Sequence, residues 1–99
     1  MEEKKMTEKQ ILGTINAALD SVWVINDEIE KLANGKEPSK EGKGNIERNV
    51  GHLKLVVANP EITGSGNDIS ALEAAIVTGE AKLAEDIWPA EVVDEDFAI

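Results

Sequence analysis

Few residues of this chain have the type and spacing to do chemistry. His52 is the only histidine, and the helical pattern around it places it on the side away from the apolar seam Ile46, Val50, Leu53, Val57. Acid–base catalysis needs a nucleophile, an acid or an orienting group converging on the imidazole, and the sequence supplies none, so His52 is expected to face solvent. Asp94, Glu95 and Asp96 are hard oxygen donors, but a divalent cation needs about six oxygens held by a turn and a closing acid at fixed spacing. The acidic run has no such loop and is expected to be solvated.

Two further segments touch known motif forms. The glycine- and lysine-containing stretch from Gly35 to Gly44 departs from a phosphate-binding loop. Six residues separate Gly35 from Gly42, Gly44 stands where the magnesium-binding hydroxyl belongs, and the preceding pattern is helical rather than extended. Asp20-Ser21-Val22 is similar to the Asp-Ser-Leu-like triplet at which acyl carrier proteins attach phosphopantetheine at a helix start. Here the triplet lies inside a continuous helical repeat with only 19 residues before it, too few for the preceding helix and loop of that family. Ser21 is therefore expected on an ordinary helix surface. Neither a cofactor nor a catalytic or metal-binding residue is expected, and the chain is read as non-enzymatic.

The elements around these residues are much more sharply written. Ile11, Ile15, Ala18, Val22, Ile25, Ile29 and Leu32 recur at alternating spacings of four and three, the seam of a long amphipathic helix built to lie against others. Thr7 and Gln10 have the form of a capping box ahead of it, and Asn34-Gly35 is a natural stop. Leu12, Leu19 and Ala33 widen the stripe, Trp23 carries it further round, and Val24 falls near the opposite side. A second helix is expected from about 45 to 58, although Ser39 offers an earlier start that Gly42 and Gly44 weaken. Asn59-Pro60 ends it, and Pro60 to Asn67 reads as a loop. The third helix, about 68–87, carries Ile69, Leu72, Ile76, Gly79 and Leu83, capped by Asn67 or Asp68 or by a Ser70–Glu73 box. Gly79 is either a close approach or a break.

The expected fold is thus all-α: an antiparallel three-helix bundle with one long N-terminal helix, helices at about 7–34, 45–58 and 68–87, and an acidic C-terminal tail. Residues 1–6 are expected to be flexible, 7–88 to form the domain, and 89–99 to be an acidic tail with the apolar tip Phe97-Ala98-Ile99. At 99 residues there is room for one domain, with an aliphatic core, since Ile, Leu and Val number 25 against two Trp, one Phe and no Tyr. The absence of cysteine excludes disulfides and thiolate chemistry. No stretch reads as a signal peptide or a membrane span, so a cytoplasmic protein (or a virion component, if viral) is expected.

The formal charge of −10 is unevenly spread, with ten acids and one base in residues 59–99. Direct nucleic-acid binding is not expected, because phosphate neutralisation needs clustered cations. The first helix outruns its two partners, so its surplus apolar surface should be covered by the tail or by another subunit. The interface candidates are Ile15, Leu19, Val22, Trp23, Val24, Phe97 and Ile99, with a homo-oligomer expected and a protein partner for the acidic tail as a further possibility. The functional expectation is a helical assembly or adaptor protein, of the small stand-alone kind common among bacteriophage and mobile-element accessory and structural proteins. The alternative is an acidic inhibitor that imitates nucleic-acid phosphates in a basic cleft.

Overall fold

A computed structural model describes residues 5–89, all of whose regular elements are helices. They are α1 (Glu8–Ala33), α2 (Lys40–Val57), the single turn α3 (Pro60–Thr63) and α4 (Ser70–Leu83). The expectations for residues 90–99, including Phe97 and Ile99, lie outside the described residues.

Helix α1 begins where local chemistry dictates. Thr7 Oγ1 accepts from the Gln10 backbone N–H at 3.1 Å, and the Gln10 side chain accepts from the Thr7 N–H at 2.9 Å, so two otherwise unpaired donors are satisfied together. The end is equally specified. Lys36 N–H reaches the Lys31 carbonyl at 2.9 Å and Gly35 N–H reaches that of Leu32 at 3.1 Å, the paired bonds of a Schellman motif. That turn needs a left-handed residue, and Gly35 supplies it at φ +103°. Met6, expected within a flexible segment, is half-buried, and its backbone N–H donates to Glu61.

Helix α2 starts five residues earlier than the main expectation of residue 45. Ser39 Oγ accepts from Gly42 N–H at 2.9 Å, a cap that offsets about half of the roughly 2 kcal/mol that Gly42 and Gly44 cost relative to alanine. Buried Gly42 also packs this turn against Glu28 of α1. The expected loop after α2 contains a helical turn. Asn59 Oδ1 accepts from Glu61 N–H at 2.9 Å and Pro60 occupies the first helical position, where its missing N–H is harmless. The turn drives Ile62 fully into the core.

Helix α4 is shorter than the expected 68–87. Neither the Ser70–Glu73 box nor a side chain at the N-cap closes its start; Asp68 instead accepts from Ser70 N–H at 2.9 Å from one position further out. After Leu83 the chain turns, and the Trp88 indole N–H donates to the Lys82 carbonyl at 3.2 Å. Gly79 is a close approach rather than a break: a methyl group there would lie 2.6 Å from Val50 Cγ2 and 3.4 Å from Ile25 Cγ2.

The core is aliphatic, with Ile25, Ile46, Leu53, Ile62 and Leu72 fully enclosed. Helices α1, α2 and α4 each pack against the other two. The deepest line of α1 is rotated slightly from the expected seam. It runs Ile15, Ala18, Ser21, Ile25, Glu28, while Ile11, Val22 and Ile29 are partly buried at its edge. The cause is α2, which packs over the side of α1 that carries Ser21 and Glu28.

Candidate interface

Two polar side chains of α1 are buried, and both are answered from α2. Ser21, expected at a helix surface, is only 5% exposed and shares a 2.7 Å hydrogen bond between its Oγ and His52 Nδ1. His52, expected to face solvent, is half-buried for the same reason. A buried hydroxyl needs a partner, and the imidazole meets that need. A serine beside a histidine is also the beginning of a nucleophilic pair, but this hydroxyl is closed off between two helices. Glu28, likewise buried, accepts from the Asn45 amide at 2.9 Å, with the Lys36 ammonium 3.7 Å from its other oxygen. These two bonds pin α1 to α2, and both have a structural use.

Among the described residues, no group of three or more His, Asp or Glu side chains is arranged to hold a metal ion. No helix there is long and apolar enough to cross a membrane. Several acids of the 59–89 region are engaged within the protein. Glu61 accepts from Met6 N–H, Glu80 pairs with Lys54, and Glu85 pairs with Lys82 at 3.1 Å. Asp68 is held below its ordinary value, first by the Ser70 backbone N–H and then by the Ser70 side chain, both of which favour the carboxylate.

The side of α1 turned away from the core has a different character. Lys9, Leu12, Asn16, Leu19, Trp23, Asn26 and Glu30 are all exposed, and they follow one another at spacings of three and four. This is a second heptad row on the same helix. Its apolar members are unusually wet: Trp23 is 66% exposed, Leu12 45% and Leu19 42%. A basic residue stands at its N-terminal end and an acidic one at its C-terminal end.

The structure divides the sequence-derived interface candidates. Leu19 and Trp23 lie on this outer row. Val22 and Val24 are half-buried, Val22 against the core. Ile15 is a correction: at 7% exposure it is part of the core, because it lies three residues before Ala18 on the line facing the other helices. Leu12 and Asn16 were missed as surface-row members because Leu12 and Leu19 also fit as flanks of the inner stripe. Their seven-residue repeat, with Trp23 eleven residues after Leu12, was the available signal. Leu55 and Val77, 76% and 65% exposed on α2 and α4, carried no sequence signal beyond being apolar.

Comparison with protein-family models, with curated proteins and with solved structures returned no match.

Proposed function

We propose that this protein is a non-enzymatic helical assembly or adaptor protein whose contact surface is the outer row of α1. The scaffold we infer for it is an antiparallel three-helix bundle. Ser21 meets His52 while the later Glu28 meets the earlier Asn45, an order that supports opposed directions for α1 and α2.

The observation that carries the reading is the second heptad row. Scattered exposed apolar residues are normal on a soluble protein. Leu12, Leu19 and Trp23 grouped on one face of one helix are a different matter, since their spacing turns all three toward the same partner helix. Tryptophan in particular contributes disproportionately at protein contacts, through its large area and its low conformational entropy. The buried placement of Ser21 and the structural use of His52 add support to a role in contact rather than in chemistry.

The test is capture from the native host on immobilised full-length protein, comparing the parent with Trp23→Lys and with Leu55→Lys. Both substitutions place a cation at an exposed site and should leave the helical circular dichroism unchanged. Loss of captured protein with Trp23→Lys, but not with Leu55→Lys, supports the outer row as the contact surface. Identical capture by all three refutes it.

A further inference from the structure

We propose that the outer row of α1 is covered by α1 of a second copy of this chain, running in the opposite direction about a two-fold axis between residues 17 and 18. This rests on the row being a contact surface, and it names the occupant. The argument is one of register. When Leu12 is set against the partner's Trp23, paired positions add to 35. Asn16 then falls against the partner's Leu19, and Lys9 against the partner's Asn26. Six of the seven members of the row pair with one another in this way, Glu30 lying beyond the last layer, and two-fold symmetry repeats each layer.

Charge selects this arrangement over its competitors. In the antiparallel register Lys9 lies within about one turn of the partner's Glu30, so opposite charges approach at both ends, while Asp27 is already paired with Lys31 of its own helix at 3.0 Å. A parallel pairing sets Lys9 on Lys9 and Glu30 on Glu30, like on like. Sliding the antiparallel pair by one heptad sets Leu12 against Glu30 or Lys9 against Leu19, burying a charge beside leucine. The two Asn16 side chains near the axis further favour a single register at some loss of affinity.

The size of the contact predicts its strength. Trp23, Leu12 and Leu19 together leave on the order of 300 Å² of apolar surface wet on each copy, below the roughly 450 Å² that is the apolar share of a standard interface of about 800 Å² per partner. The dimer is therefore weak and depends on concentration.

The experiment uses the full-length chain, which contains no cysteine, so introduced thiols report unambiguously. Sedimentation velocity across a concentration series should show a monomer–dimer equilibrium that Trp23→Lys abolishes. Under mild oxidation the double variant Lys9→Cys, Asn26→Cys should form a disulfide-linked dimer. Neither single variant should, because identical positions lie about 25 Å apart along the paired helices and a disulfide spans less than about 7 Å between Cα atoms. Cross-linking by the single variants would overturn the antiparallel register. A monomer at every concentration would overturn the second copy as occupant; if capture from the host then still depends on Trp23, the contact-surface reading survives, and if it does not, both fall.

Discussion

Gly79 on α4 offers a measurement in which two effects of known size oppose each other. Replacing a helix-interior glycine by alanine ordinarily stabilises by about 1 kcal/mol, because the backbone loses less entropy on folding. Gly51, exposed on α2 with nothing within 4 Å of the position a Cβ would occupy, should show that gain in full. At Gly79 the same methyl would meet Val50 Cγ2 at 2.6 Å, so the neighbours must separate by roughly 1 Å to reach ordinary contact. Val50 is β-branched, helical and 4% exposed, and a buried valine in a helix has essentially one rotamer. Ile25 and Ile46 close the remaining directions at 3.4 and 3.5 Å. Overpacking of this kind costs about 1–3 kcal/mol, and α4 can relieve it only by moving off α2. The propensity gain is common to both variants, so Gly79→Ala should be less stable than Gly51→Ala by about 2 kcal/mol, or roughly 10 °C in Tm for a domain of this size. Urea denaturation followed by circular dichroism gives the difference directly, provided the slope is unchanged between variants. Equal or greater stability of Gly79→Ala would refute the close packing of α4 on Val50.

Other expectations follow from the same geometry. Glu28→Ala removes the acceptor of the half-buried Asn45 amide and should destabilise by about 1 kcal/mol; Glu28→Gln, which keeps an acceptor for that amide, should recover most of the loss in the same denaturation assay. Gly35→Ala forces an L-residue to φ +103° and should destabilise by about 1 kcal/mol, against a gain of similar size if the turn after α1 were an ordinary helical continuation. The Asp68 carboxylate is held below its ordinary pKa, so its contribution is present above that ordinary value and is lost as pH falls through the folded-state value. Asp68→Asn keeps an acceptor for Ser70 without a proton linkage. The parent's Tm relative to Asp68→Asn should therefore fall as the pH drops from about 6 to about 2, and a difference that does not change with pH would refute stabilisation of the Asp68 carboxylate by Ser70.

Much of the architecture was determined by sequence alone, because it depends on interactions a few residues long. The heptad of α1, its Thr7–Gln10 box and the Asn34-Gly35 stop are all satisfied within one or two turns of chain, so spacing and residue type suffice to state them. The same holds for the helical class and for the break at Asn59-Pro60. What spacing could not decide was the angle at which one helix meets another. Rotation of α1 toward α2 placed Ser21 and Glu28 inside, gave His52 a partner 31 positions away, and turned Ile15 from an interface candidate into core. Gly79 was ambiguous for the same reason: whether a glycine breaks a helix or admits a neighbour depends on what crosses it, here Val50. The outer row of α1 was present as a repeat from the start, but Leu12 and Leu19 fit either flank of a wide stripe. Only the packing of α2 and α4, by covering one side of α1, decided which side was left to water.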